Sequence, residues 1–164
     1  MKWLFLILLI GVVLAGCGKT QSSLAQYRAQ AAIDDKIVAN YIAENNLTGI
    51  AKKTNDTSGV YYIVLQQGQG NDLFTTSTRV TVSDTGKLLG TGKIFTETNT
   101  FHPSYVLGQV MLGWQLGIPK INTGGIVRLI IPSRYAYGPN AQPSLGLPAN
   151  AILNFDIQLY NVTN

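Results

Sequence analysis

The stretch that decides the fold covers residues 107–138 and reads LGQVMLGWQLGIPKINTGGIVRLIIPSRYAYG. A short helix is predicted over residues 110–116, ended by Gly117 and Pro119, and an apolar strand follows after Gly124-Gly125. The stretch places Trp114 and Tyr137 beside apolar runs, and it holds almost no side chain capable of covalent or acid–base chemistry. A site built from it is suited to binding and distorting an apolar, planar group rather than attacking it.

The flanking sequence predicts strands rather than further helices. Alternating or continuous apolar runs bounded by turn residues are typical of strands. They occur at residues 60–65, 78–83, 93–96, 104–107, 126–131 and 151–162. Because these strands surround one short helix without βαβ alternation, we expect an α+β domain with a curved antiparallel sheet wrapped around that helix.

A separate helix is predicted ahead of this domain. Ser23 and Gln26 fit a capping box, and Asn45-Asn46 and Gly49 mark the end. Apolar residues recur at helical spacing, with Asp34, Asp35 and Lys36 expected on the wetter side. The apolar positions are Ile33, Ile37, Val38, Tyr41 and Ile42. Packing on its own domain, or a spacer role, is favoured over a weak homodimer through residues 23–46.

The beginning of the chain has the parts of an export signal. Lys2 precedes an apolar run, and Leu14-Ala15-Gly16-Cys17 resembles a bacterial lipobox, which implies cleavage before Cys17 and its lipidation. We expect a lipoprotein signal peptide (1–16), a tether (17–22), a helix with a linker (23–59) and the main domain (60–164). The implied location is the bacterial cell envelope, on the outer membrane facing the periplasm. A short membrane anchor or an ordinary cleaved signal is the alternative.

Composition disfavours several classes of function. The net charge is +4 and charged residues make up 12% of the chain, with Lys52-Lys53 the only adjacent positive pair. Nucleic-acid binders usually cluster such charge, so no nucleic-acid partner is expected. His102 is the only histidine and Cys17 the only cysteine. These counts rule out a zinc or His–Cys site, and we expect no metal and no cofactor.

What remains is an aromatic and aliphatic set, and any one of its members alone would be read as core. The set is Phe95, Tyr105, Val110, Met111, Trp114, Tyr137, Leu147 and Phe155. Short motifs occur around it in a fixed order. They are Thr85-Gly86-x-Leu88, Gly92-x-x-Phe95, Leu107-Gly108, Gly113-Trp114, Tyr135-Ala136-Tyr137-Gly138, Leu147-Pro148 and Phe155-Asp156. In this order they resemble the FKBP family of peptidyl-prolyl cis-trans isomerases over about two-thirds of the chain.

The resemblance implies a role for each member of the set. Trp114 would floor a pocket for a substrate proline ring, and the Tyr137 hydroxyl would donate to a substrate carbonyl. The resemblance implies that the walls of the pocket are Phe95, Phe155, Val110 and Met111. It implies that Leu147 forms the rim and that Tyr105 lies behind the pocket. The resemblance thus implies catalysis by Tyr137, Trp114 and Phe95 on proline-containing segments of unfolded or exported proteins.

Two positions depart from the family pattern. Asp84 stands where the family has a pocket tyrosine, and Thr96 stands where an aspartate follows the phenylalanine. Both face the implied substrate site, so reduced turnover is expected, with Asp84 as a partial replacement for the missing aspartate. The alternative is therefore a catalytically weak FKBP-like chaperone or peptide-binding module. A structural envelope lipoprotein is a third reading.

Overall fold

The structure is a computed structural model that describes residues 17–164, with side chains from Ser22 onward. The predicted signal peptide and the side chain of Cys17 lie outside the described residues. The helices are α1 (Cys17–Glu44) and α2 (Leu112–Gly117). The strands are β1 (Lys52–Lys53), β2 (Tyr61–Gln66), β3 (Arg79–Leu88), β4 (Ile94–Glu97), β5 (Ser104–Val106), β6 (Ile126–Ile131) and β7 (Leu153–Thr163).

The strands form one antiparallel sheet in the order β1-β2-β6-β7-β3-β4, with β5 paired to β3. Helix α2 packs against this sheet, and α1 precedes the strands in the chain. The predicted fold class, an α+β domain with a curved antiparallel sheet around one short helix, is confirmed. Strand β3 is longer than predicted. It continues past Ser83 and runs through Gly86. A Cβ at Gly86 would lie 2.6 Å from both Phe155 Cε1 and Thr96 Cγ2, so the glycine permits close approach of side chains rather than a break.

Helix α2 packs on β6 through two glycines. A Cβ at Gly113 would lie 2.5 Å from Ile131 Cγ2, and one at Gly117 would lie 2.3 Å from Leu129 Cδ2. Both distances are shorter than side chains tolerate, so these positions require glycine for the helix to lie this close to the sheet. The main core therefore forms between α2 and one face of the sheet, with Trp114 in it.

Helix α1 covers the other face of the sheet. Successive residues of a strand point to opposite faces. Leu129 and Ile131 accordingly join the main core, whereas Ile130 packs with Val38, Ile42 and Ile152 in a second cluster. The sheet is thus buried on both sides at β6, and α1 packs on its own domain.

The predicted polarity of α1 is wrong at three positions. Ile33 and Ile37 were expected to be buried, but they are 52% and 46% exposed. Asp34 was expected on the wet side, but it is 0% exposed. Its burial is stabilised by hydrogen bonds from the Ser133 backbone N–H and hydroxyl, which lie far away in the sequence.

The predicted start of the helix at Ser23 is wrong, because α1 begins at Cys17. Residues 17–22 contain no proline, and extending an existing helix costs far less than starting one. The end at Glu44 agrees with the predicted stop at Asn45-Asn46. Within residues 17–164, no helix is both long and apolar enough to cross a membrane.

Two neighbouring residues of α1, one buried and one half-exposed, allow a matched test of how this helix packs. Val38→Ala removes two methyl groups from the second cluster and should lower the free energy of unfolding by about 1–3 kcal/mol. Ile37→Ala removes a larger but half-exposed side chain and should change it by less than about 0.5 kcal/mol. Urea unfolding of the two variants measures both values. Equal losses would contradict the docking of α1 described above.

Candidate active site

The predicted aromatic set comes together on the α2 side of the sheet. Trp114 lies edge-on to Phe155 with ring centroids 5.2 Å apart, and edge-on to Tyr105 at 5.9 Å. Phe95 lies edge-on to Phe155 at 5.5 Å. Such T-shaped pairs are favourable beyond their buried area, because the positive ring edge meets the negative ring face. These four rings form what we call the aromatic cluster.

Trp114 and Phe155 form the base of the aromatic cluster, with 6% and 1% of their surfaces exposed. Helix α2 holds Trp114 here through its contact with β6, and β7 holds Phe155. The indole Nε1 is buried and has no acceptor within residues 17–164. Buried donors without a partner are uncommon and often belong to sites that bind something else.

Half-buried side chains surround this base. All eight members of the predicted set belong to the main core, and four of them make the ring contacts of the aromatic cluster. Phe95, Tyr105, Val110, Met111 and Tyr137 are partly exposed, whereas Leu147 is only 3% exposed. An apolar base ringed by partly exposed apolar side chains can bind a planar, apolar group.

Tyr137 brings a polar group to this apolar surface. It follows the single turn of 3-10 helix at Ser133–Tyr135, and the Ser133 carbonyl accepts hydrogen bonds from Ala136 N and Gly138 N on either side of it. The Tyr137 hydroxyl makes no hydrogen bond within the described part of the chain. Partial burial and the charge of Asp84 both raise the pKa of Tyr137, so the phenol stays protonated at neutral pH and can donate.

Asp84 places a carboxyl group at the edge of the aromatic cluster. It is 6% exposed and lies on the core-facing side of β3, between Val82 and Gly86. Burial raises the pKa of Asp84 by penalising the charged form. Burial also raises the pKa of Tyr105, with a further contribution from Asp84. Asp84 therefore interacts electrostatically with both tyrosines, and its carboxylate accepts no hydrogen bond from the described side chains.

Thr96 is half-buried, and its Cγ2 approaches Gly86 together with the ring of Phe155. It adds a methyl group where the family pattern has a carboxylate. The carboxyl group of this site thus comes from β3 instead of β4.

Two clefts lie along the sheet, and neither is lined by a ring of the aromatic cluster. One of about 310 Å³ is lined by residues that include Ser83, Asp84, Thr85 and Asp156. Alternation along β3 and β7 places all of these except Asp84 on the face opposite the main core. The other, of about 380 Å³, lies between Tyr41 of α1 and the β3–β4 hairpin. Within residues 17–164, no three His, Cys, Asp or Glu side chains are grouped so as to hold a metal ion.

Sequence reasoning missed Asp34 and Ser133, which hold the turn that carries Tyr137. The two residues are 99 positions apart, and no local pattern links them. The sequence around Asp34 gave no signal of its burial, because Asp34 stands beside Asp35 and Lys36 in a charged stretch of α1.

Comparison with known proteins agrees with this geometry. Residues 71–160 match the family model of FKBP-type peptidyl-prolyl cis-trans isomerases. The chain is 34% identical over 121 residues to the FKBP-type isomerase FkpA of Buchnera aphidicola subsp. Schizaphis graminum, covering 73% of this chain and 46% of that protein. It is 39% identical over 103 residues to FK506-binding protein 1 of Debaryomyces hansenii, covering 60% of this chain and 90% of that protein.

A crystal structure of a peptidyl-prolyl cis-trans isomerase from Pseudomonas syringae pv. tomato superposes with a TM-score of 0.70 at 28% identity, covering 84% of this chain and 96% of that one. The chain spans less than half of the Buchnera relative but nearly all of the yeast protein and of the Pseudomonas structure. The antiparallel sheet, the short helix that carries Trp114 and the match over residues 71–160 all indicate the same family. The chain belongs to the FKBP-type peptidyl-prolyl cis-trans isomerase family.

Proposed function

We propose that this protein catalyses cis–trans isomerisation of peptide bonds before proline in unfolded or exported proteins. The observation that carries the proposal is the Tyr137 hydroxyl, which is free to donate beside an apolar surface based on Trp114. A pyrrolidine ring would lie on that surface, and the carbonyl before it would accept from Tyr137.

The chemistry needs no nucleophile, because no covalent bond is made or broken. Rotation about a peptide bond is opposed by amide resonance, with a barrier of about 18–20 kcal/mol. Uncatalysed exchange of a prolyl bond consequently takes about 10–100 s at room temperature. The twisted transition state has lost the charge separation of the planar amide, so an apolar surface disfavours it less than it disfavours the ground state.

An enzyme accelerates this rotation by binding the twisted form better than the planar one. Trp114 and Phe155 supply a rigid apolar base. Phe95 and Tyr105 supply partly exposed walls, and Tyr137 supplies a directed donor. Each tenfold gain in rate requires about 1.4 kcal/mol of such preference. A few well-placed contacts are therefore enough for a useful catalyst.

The second candidate function is a catalytically weak chaperone or peptide-binding module. The observation that favours it is the pair of departures at Asp84 and Thr96. Asp84 is a buried carboxyl group without a hydrogen bond from the described residues, and it changes the electrostatics around Tyr105 and Tyr137. Binding of apolar segments would persist while turnover fell.

We further propose a lipid-anchored form in the bacterial envelope, on the outer membrane facing the periplasm. The support is the sequence Leu14-Ala15-Gly16-Cys17, with Cys17 as the only cysteine. Metabolic labelling with a fatty acid should mark the wild type and not Cys17→Ala. Labelling of both would contradict the anchor.

A weak homodimer through residues 23–46 is a further proposal, supported by exposed apolar side chains on α1. Leu24, Tyr27, Ile33 and Ile37 are each 46–55% exposed. Sedimentation velocity should show a concentration-dependent mass for the protein without its lipid. A constant monomeric mass would contradict the dimer.

Removing the Tyr137 hydroxyl should lower isomerase activity without removing the apolar surface. We expect Tyr137→Phe to reduce kcat/KM by about tenfold on a proline tetrapeptide, the equivalent of about 1.4 kcal/mol of transition-state binding. A protease-coupled assay measures the rate. Tyr160→Phe removes a hydroxyl that donates to Gln158 near the end of β7, and it should leave the rate unchanged.

No rate above the uncatalysed background for the wild type would contradict the isomerase proposal. Suppressed aggregation of an unfolded client by that same inactive protein would support the chaperone instead.

Asp84 should make stability depend on pH in a direction set by its raised pKa. A carboxyl group whose pKa is higher in the folded protein stabilises the fold at pH values below its unfolded value. That stabilisation is lost as pH rises through the folded value. Asp84→Asn removes the charge but keeps the shape, so it should raise the free energy of unfolding at pH 7 and have little effect at pH 3.

Urea unfolding at the two pH values measures this difference, provided that the dependence on urea is unchanged. Asp56→Asn, the same substitution at an exposed residue, is the matched control. A loss of stability at pH 7 in Asp84→Asn would mean that favourable contacts outweigh the burial of the charge.

A further inference from the structure

We infer that Asp34 of α1 is a positioning residue for Tyr137 and acts through Ser133. The inference rests on the proposed function, because it gives Tyr137 its task. It also assigns a part in the active site to a helix that lies outside the matched family segment of residues 71–160. Helix α1 would then belong to the catalytic unit and not only to a spacer.

The first link is a buried carboxylate bound to a turn. Asp34 Oδ2 accepts from Ser133 N at 2.9 Å and from Ser133 Oγ at 2.6 Å. Its other oxygen accepts from Gln30 Nε2 at 2.8 Å. Asp34 is 0% exposed and Ser133 is 1% exposed. Two hydrogen bonds from Ser133 to one buried oxygen fix Ser133 firmly, because breaking either would leave a buried polar group without a partner.

The second link runs from Ser133 to Tyr137. The Ser133 carbonyl accepts from Ala136 N at 2.9 Å and from Gly138 N at 2.8 Å, the two residues that flank Tyr137. The Gly138 carbonyl in turn accepts from Asn150 N at 2.9 Å. The Tyr137 carbonyl also accepts from Asn140 N, at 3.4 Å. The shorter backbone bonds on either side of Tyr137 thus involve Ser133 or Gly138, and Asp34 holds Ser133 through its amide and hydroxyl.

Other contacts already attach α1 to the domain. The effect of Asp34 on Tyr137 can therefore be tested separately from the docking of α1. Val38 and Ile42 pack on Ile130 of β6. Arg134 donates to Asp35 Oδ1 at 2.7 Å and to the Ser58 carbonyl at 2.9 Å. Asp34 is the residue of α1 whose side chain holds both the amide and the hydroxyl of Ser133. Losing it should loosen the turn while α1 stays docked.

A small displacement of Tyr137 is enough to matter for catalysis. A shift of about 1 Å in a group that contacts the reacting atoms can cost up to about a hundredfold in rate. Since the aromatic cluster itself does not depend on Asp34, substrate binding should change less than turnover.

The test compares Asp34→Asn with Val38→Ala in the full-length chain. Asp34→Asn should lower kcat by about tenfold with KM changed less than about twofold. Val38→Ala lowers stability by loosening the same helix, yet it should leave kcat unchanged below its unfolding transition. Equal losses of kcat in the two variants would overturn the positioning role. Ser133→Ala, which keeps the backbone bond, should show a smaller loss than Asp34→Asn.

A double-mutant cycle asks whether Asp34 acts through Tyr137. In the Tyr137→Phe background, Asp34→Asn should cost less than about twofold, because the hydroxyl that it positions is already gone. A full tenfold loss in that background would show that Asp34 acts by another route.

Amide hydrogen exchange supplies a readout that does not depend on activity. Asp34→Asn should speed exchange at Ala136 and Gly138 by about tenfold, with no change at Ile157 in β7, and Val38→Ala should not select those two amides. If the wild type proves inactive but this pattern is found, the proposed function fails and the positioning stands. Unchanged exchange at Ala136 and Gly138 would overturn the positioning even in an active enzyme.

Discussion

The close contact of α2 with β6 is the constraint on which the rest of the site depends. Gly113 and Gly117 bring the helix within reach of Ile131 and Leu129, and no larger side chain fits between them. This contact sets the depth of Trp114, which then meets the edges of Phe155 and Tyr105. An interior packed this closely transmits displacement instead of absorbing it. The apolar base of the candidate site is therefore as rigid as the core of the domain.

Polar groups enter this apolar surface from three different parts of the chain. Tyr137 comes from the turn after β6, Asp84 from the middle of β3, and the unpaired indole N–H of Trp114 from α2. The carboxyl group stands on a different strand from that of the family pattern, and burial raises its pKa. The same apolar surroundings that would favour a twisted imide thus act against a charge at Asp84. Whether the site turns over rapidly or mainly binds depends on that balance.

A helix covers each face of the sheet, and α1 and α2 contribute to the candidate site in different ways. Helix α2 builds the aromatic cluster, whereas α1 packs on Ile130 and fixes Ser133. Since Ser133 holds the turn that carries Tyr137, the helices on both faces of the sheet contribute to the candidate site. Helix α1 also leaves apolar side chains such as Tyr27 and Ile33 exposed.

The sequence alone determined the fold class, the sheet around one short helix and the membership of the aromatic cluster. It could do so because strand alternation, glycine turns and the spacing of Gly113-Trp114 and Tyr135-Ala136-Tyr137-Gly138 are local properties. It misjudged the continuation of β3 through Gly86, the start of α1, and the exposure of Ile33, Ile37 and Asp34. Tertiary structure decided these, because the burial of Asp34 is stabilised only by donors of Ser133 at the other end of the chain, and Gly86 is required only where Phe155 and Thr96 converge on it.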